Sequence, residues 1–165
     1  MARDDVDEHA GPLEFDAFFE RESGRLFQAM FLATGNRAEA EDLCQEALAR
    51  AYERWDRIRR MDSPAGYVYQ TAFNLHRKRI RRRRDPVAAP ESPPDPGSVA
   101  ELRDQILRAL RALPVTQQEA LLLVEWVGMT AEEAGGVLGI DASSVRGRVH
   151  RARSTLRERF GGPDA

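Results

Sequence analysis

The chain has 165 residues, with 25 basic against 27 acidic side chains for a formal charge of −2, 32% charged and 42% hydrophobic positions. That suits one ordinary soluble domain or two small ones and excludes a large multidomain catalyst. No run approaches the roughly 18 apolar residues of a membrane helix and the acidic start is unlike a secretory leader, so a cytoplasmic protein without membrane insertion is expected.

The near-zero total hides an uneven distribution. Eight acids and one base lie between Asp4 and Glu22, and residues 1–12 read as a disordered acidic segment. Phe15, Phe18, Phe19, Leu26, Phe27, Met30 and Phe31 then mark a helix that ends near Gly35. Residues 37–57 carry Leu43, Cys44, Ala47, Leu48, Ala51, Tyr52 and Trp55 at three-and-four spacing, one continuous apolar helical stripe. Asn36 is its predicted N-cap, with Glu39 as reciprocal acidic partner. Ser63 followed by Pro64 opens a third helix running to about Arg82, with proline where its missing N–H costs nothing. Seven of the eight residues from Arg77 to Arg84 are basic.

Five prolines between Asp85 and Ser98 exclude a packed helix or central strand there. The segment reads as a semi-rigid tether with a reach on the order of 40 Å. It divides the chain into a domain over 13–84 and another over 99–160, followed by a short tail, 161–165.

Three Ser/Thr-x-x-Glu boxes follow: Ser98 with Glu101, Thr116 with Glu119, and Thr130 with Glu133. Each predicts a helix start. The first helix is expected to bury Leu102, Ile106, Ala109, Leu110 and Leu113. The second should bury Ala120, Leu121, Val124 and Val127 and end near Gly128. The third runs from Ala131 to Leu138 and stops at a left-handed Gly139. Asp141 then caps a helix whose buried stripe is Val145, Val149, Ala152, Leu156 and Phe160. No alternating strand pattern appears, so the fold class is all-α.

The unit Thr130 to Arg153 has the form of a helix-turn-helix: a short capped helix, a Gly139-Ile140-Asp141 turn and a longer helix with a basic face. A helix entering a DNA major groove needs small or hydrogen-bonding residues at its N-terminus and arginines beyond them. Ser143, Ser144, Arg146, Gly147 and His150 meet the first need, and Arg148, Arg151 and Arg153 the second; a solvated arginine face is the alternative. In the first half, Tyr67, Gln70, Asn74 and Arg77 share a face distinct from the Val68, Ala72, Leu75 stripe, with Lys78 and Arg81 following. An aromatic ring beside amide and guanidinium groups suits single-stranded nucleic acid, where rings stack on bases and cations follow phosphates. Tyr and Phe at helical spacing are equally the mark of a core. No pair of carboxylates, activated nucleophile or phosphate-cradling glycine loop stands at chemical spacing, so no enzyme activity and no small-molecule substrate are expected. The scattered His9, His76 and His150 and the lone Cys44 predict no metal site, no disulfide and no cofactor.

Ala40-Glu41-Asp42-Leu43-Cys44-Gln45-Glu46, Ser63-Pro64-Ala65-Gly66-Tyr67-Val68 leading to Asn74, the proline linker, Leu113-Pro114, and Leu138-Gly139-Ile140 through Val145 to Arg153 come in an order that resembles the extracytoplasmic-function (ECF, group 4) branch of bacterial sigma-70 factors. The likeness covers about residues 13–160. It implies two helical domains, sigma-2 and sigma-4, that bind core RNA polymerase and promoter DNA. By that resemblance Asp42, Gln45 and Glu46 dock on the polymerase clamp. Tyr67, Gln70, Asn74, Arg77, Lys78 and Arg81 belong to the element that opens and holds the melted −10 region, Lys78 standing where the family often has Asp. Ser143, Ser144, Arg146, Gly147, Arg148, His150 and Arg151 belong to the reader of duplex −35 DNA. An anti-sigma factor is a common partner in the family. Two other readings remain at this level: a helix-turn-helix regulator with an N-terminal dimerisation domain, and a helical RNA-binding or scaffold protein using Arg77 to Arg84.

Overall fold

The computed structural model describes residues 10–83 and 96–161, with side chains from Glu14 onward. Among the described residues every regular element is helical: α1 (Ala10–Thr34), α2 (Arg37–Glu53), α3 (Trp55–Ile58), α4 (Pro64–Arg82), α5 (Val99–Arg111), α6 (Val115–Leu121), α7 (Ala131–Leu138) and α8 (Ala142–Phe160). The tether lies largely outside the described residues, and the acidic segment gives way to helix at Ala10, before the expected boundary.

Local chemistry sets most boundaries. Asn36 Oδ1 accepts from the Glu39 N–H at 3.0 Å, and Ser63 Oγ accepts from the Gly66 N–H at 2.9 Å with Pro64 opening α4. The Glu39 side chain does not complete the expected reciprocal cap. It is buried, bound to Arg83, with its Oε1 4.0 Å from His76 Nδ1. Burial holds the His76 ring below its ordinary pKa despite that carboxylate. The expected helix over 37–57 breaks at Arg54, separating α2 from α3.

Leu26 and Met30 of α1, Leu43 and Ala47 of α2, and Tyr69, Ala72 and Phe73 of α4 form the centre of the first half. Phe15 and Phe18 close one end against Trp55, with ring centroids 5.3 and 4.9 Å away. Tyr52 and Phe19, expected inside, are exposed. Cys44 lies in the α2 core face, and burial pushes its thiol up to about 12.

In the second half α6 and α7 pack on α8, through Ala120, Leu123, Ala134, Val137, Val145, Val149 and Ala152. The Thr116 box does not form. Pro114 occupies the N-cap position, its carbonyl accepting from Gln117 and Gln118 at 2.9 and 3.0 Å, which places Glu119 beyond the first turn and inside the protein. After α6 the chain widens into one π-helical turn, Leu122–Trp126, with the Val127 N–H reaching the Leu122 carbonyl at 2.9 Å. On α5, Leu102 and Ile106 are exposed rather than buried, and Leu107 is covered instead. Val124 and Leu156 are only partly buried, and Phe160 is exposed.

The halves do not stand apart. One continuous apolar core runs through both, with α1 against α5 and the π turn, and α4 against α7. Polar contacts reinforce it. Gln118 Nε2 donates to the carbonyls of Ala33 and Leu110, both at 3.1 Å, and Arg25 donates to the Val127 carbonyl at 2.6 Å. Gly35, at φ +66°, lies under Arg111: an added Cβ would sit 2.8 Å from the Arg111 Cδ.

Candidate nucleic-acid and polymerase interfaces

Three exposed faces follow from the helix periods. On α2, Asp42 and Gln45 project to solvent and Glu46 is half-buried beside them, opposite the Leu43, Ala47, Leu48 core stripe. Arg79 of α4 lies 4.0 Å from Asp42 and 3.9 Å from Glu46, and Glu46 also accepts from Arg50 at 2.6 Å. These partly exposed pairs are each worth at most about 1 kcal/mol, so the patch stays acidic and available.

On α4, Tyr67, Asn74, Arg77, Lys78 and Arg81 line one open groove of about 530 Å³. Gln70 falls outside it, in a second cleft of about 790 Å³ between the two halves that Tyr67 also borders. Tyr69 and Phe73 are core, so of the aromatic residues on this helix only Tyr67 offers a ring to the groove. Arg77 donates to Asn74 Oδ1 at 2.5 Å, fixing the amide's orientation. Sequence reasoning missed Arg50 and Arg54, which complete the groove from α2 and its C-terminal end. Their four-residue spacing was the available signal, but the groove exists only once α2 and α4 pack together.

The third face is α8. Thr130 Oγ1 accepts from Glu133 N–H at 3.1 Å while Glu133 accepts from Thr130 N–H at 2.8 Å, a complete capping box for α7. Gly139 closes that helix at φ +68°, and an added Cβ there would meet nothing within 4 Å. Gly139→Ala therefore costs only the left-handed backbone penalty, about 1 kcal/mol, read as a lowered midpoint in urea denaturation. Gly135, which weakens α7 by propensity, permits a tight turn: a Cβ there would lie 2.6 Å from the Ile140 carbonyl.

Asp141 caps α8, accepting from the Ser144 N–H at 2.8 Å, from Ser143 Oγ at 2.5 Å and from Ser144 Oγ at 3.0 Å. These bonds hold its carboxyl down at about 2. The two serines are thus oriented from within the cap. Arg146, His150 and Arg151 project to solvent, Arg146 with a 3.3 Å exposed contact to Glu132. Arg151 lies over Gly147, 3.5 Å from where a Cβ would be. Arg153 pairs with Glu125 of the π turn. Arg148 is half-buried, close enough to Glu119 to pull its carboxyl downward.

The family model for sigma-70 region 2 matches residues 18–85, and that for sigma-70 region 4 matches residues 103–156. The ECF RNA polymerase sigma factor EcfG of Rhodopseudomonas palustris is 35% identical over 130 residues, 74% of this chain and 72% of that protein. The chain belongs to the ECF sigma factors of the sigma-70 family. An RNA polymerase sigma-E factor of Streptomyces coelicolor is 29% identical over 151 residues, 88% of this chain and 85% of its own length. In fold, this sigma factor is similar to the sigma factor RpoE of Bartonella quintana, solved in complex with the anti-sigma factor NepR. The TM-score is 0.76 at 22% identity, over 90% of this chain and 99% of that one. CnrH, solved with the cytosolic domain of CnrY, gives a TM-score of 0.72 at 23% identity, over 93% and 91%. The all-α fold with region 2 and region 4 units is the expected one, and the helix-turn-helix regulator with a dimerisation domain is not favoured. Among the described residues no helix is long and apolar enough to cross a membrane, and no cluster of His, Cys, Asp and Glu is arranged to hold a metal.

Proposed function

We propose that this ECF sigma factor works in the cytoplasm, without a catalytic centre of its own, by holding core RNA polymerase and two stretches of promoter DNA at once. Asp42, Gln45 and Glu46 of α2 meet basic groups of the polymerase clamp. The α4 groove takes melted −10 DNA: Tyr67 stacks on an unpaired base, Asn74 bonds a base edge, and Arg77, Lys78 and Arg81, joined by Arg50 and Arg54, follow the phosphates. Capture there offsets the few kcal/mol of unstacking an extruded base. Gln70, at the rim of the neighbouring cleft, meets the strand where it enters. The N-terminal half of α8 lies in the −35 major groove, with Ser143, Ser144, Arg146, Gly147 and His150 toward base edges and Arg148 and Arg151 toward phosphates. The segment joining the domains makes the second recognition intramolecular, so each can be weak alone.

The observation that carries this reading is that the three faces lie exposed in the order of the matched regions on one chain, each anchored to its own apolar stripe. Co-purification with core RNA polymerase followed by run-off transcription tests it; a chain that binds duplex DNA as a symmetric dimer and ignores polymerase defeats it. At −35, Arg146→Ala is expected to cost about 2 kcal/mol at the preferred base pair, because its contact to Glu132 is exposed and leaves the guanidinium available. Footprinting on variant promoters would show the preference relaxed at that position, and an unchanged preference removes the assignment. As RpoE is held by NepR in the solved relative, a regulatory protein of the anti-sigma class is proposed as a further partner.

A further inference from the structure

Where α2 begins and α4 ends, three polar side chains meet. Glu39, in the first turn of α2, has a side chain only 7% exposed. Its Oε2 accepts from Arg83, the residue that closes α4, and its Oε1 lies 4.0 Å from Nδ1 of His76, whose side chain is 4% exposed. Neither that oxygen nor that nitrogen has a hydrogen-bond partner. One buried carboxylate thus stands between two possible cations and is committed to one of them.

We propose that Arg83 is a phosphate contact held in reserve: Glu39 keeps it off the DNA, and a proton taken up from solvent at His76 Nδ1 releases it. The proposal rests on the assignment of the α4 groove to a melted strand. On α4 that groove is lined as far as Arg81, so a strand leaving it passes the end of the helix. Glu39 cannot follow Arg83 outward, because its backbone N–H is tied to Asn36 Oδ1 at 3.0 Å. The Arg83 backbone is fixed as well, its N–H donating to the Arg79 and Ile80 carbonyls at 3.1 and 3.3 Å. Its side chain, 36% exposed, is the part of the clasp able to swing. Charge decides the direction of the exchange. With a neutral ring the site holds one anion and one cation. A proton on His76 adds a second cation, and a buried charge without a partner of its own is costly. The imidazolium has no route to water and Arg83 has one, so Arg83 is the cation that leaves. Arg79 of α4, engaged by Asp42 and Glu46 of α2 at 4.0 and 3.9 Å, is the other charge acting on the ring and also repels the imidazolium. Burial keeps the ring neutral at ordinary pH, which confines the release to acid.

The test follows binding of the full chain to a random-sequence DNA single strand of roughly 20 nucleotides, against salt, at about pH 7.5 and about pH 5. Acidification is expected to steepen the wild-type dependence of log K on log salt by about 0.7 more than that of His76→Gln, the increment for one added phosphate on a single strand. Other groups that take up protons in this range, Glu119 among them, do so in both proteins and cancel. Glu39→Gln is expected to hold the steeper slope at both pH values. Arg83→Ala, at an exposed position, should show the acid response of His76→Gln. Equal acid responses in the wild type and His76→Gln, or a Glu39→Gln slope equal to the wild type's at the higher pH, would overturn the reserve contact. Should Glu39→Gln lose its helical circular dichroism, the wild type, His76→Gln and Arg83→Ala decide the matter among themselves. A strand bound as tightly by Asn74→Ala with Arg81→Ala as by the wild type defeats instead the groove assignment beneath the proposal.

Discussion

Asp42→Arg combined with Gln45→Ala lowers promoter-directed run-off transcription about 100-fold and abolishes co-purification with core polymerase, while the helical circular dichroism and melting temperature stay those of the wild type. The size follows from electrostatics at a docking face: placing like charges across an interface costs several kcal/mol, and ~3 kcal/mol is two factors of ten. Stability is spared because the Asp42 side chain is 67% exposed and its ion-pair partner among the described residues, Arg79, stands 4.0 Å away at the limit of a contact. The neighbouring Glu41→Ala, which breaks only the 3.0 Å surface pair with Arg37, is the control and leaves transcription unchanged within twofold. A double variant that still initiates at wild-type rates moves the polymerase contact off α2.

Caps and apolar periods made most of the secondary structure legible in the sequence, because both are local. Ser63, Ser98, Thr130 and Asp141 each cap the helix they were expected to start, and Gly139 is left-handed as its place demanded. The failures share one cause. A helical period says which side of a helix is apolar but not what covers it. The α5 stripe therefore nominated Leu102 and Ile106, and packing against α1 and α8 covered Leu107, Ala109 and Leu110. Thr116 and Glu119 have capping-box spacing, but Pro114 starts the helix and carries Glu119 past the position where it could cap. The π turn depends on widened backbone bonding, that from the Val127 N–H to the Leu122 carbonyl included, which no residue pattern signals.

The candidate site divides along the same line. Residues on a single helix face, such as Asp42 with Gln45 or Arg146 with His150, are readable from spacing and lie where expected. The α4 groove is a product of two helices, so its Arg50 and Arg54 wall was invisible, as was the placing of Gln70 in the neighbouring cleft that Tyr67 also borders. Least legible was the meeting of Arg77 and Glu119, 42 residues apart, which needs both domains to be in place.

Glu119→Gln is expected to raise stability above pH 7 and to leave it unchanged near pH 4.5, the reverse of what losing an ion pair ordinarily does. Burial pushes the Glu119 carboxyl from 4.5 up to about 7, and the opposing pull of Arg77 from α4 and Arg148 from α8 does not offset it, because the Arg77 contact lacks hydrogen-bond alignment. A group whose pKa is raised in the folded form contributes its stability below 4.5 and loses it as pH climbs through 7. At about 1.4 kcal/mol per pH unit, that loss is on the order of 3 kcal/mol across the window. Glutamine keeps the shape and stays neutral, so the variant avoids the loss and should melt roughly 6–12 °C above the wild type at pH 8. His76 acts in the opposite sense: its ring is held neutral by burial, and stability is lost as pH falls through 6.5 in both proteins, so subtracting their melting curves at each pH isolates Glu119. Cys44 and Tyr69, both pushed up to about 12, do not titrate in this window. A wild type that melts higher than Glu119→Gln at pH 8 would mean that the pairing with Arg77 outweighs the cost of burying the charge. The contact between α4 and the second half of the chain would then be tightened, not loosened, as the solution turns alkaline.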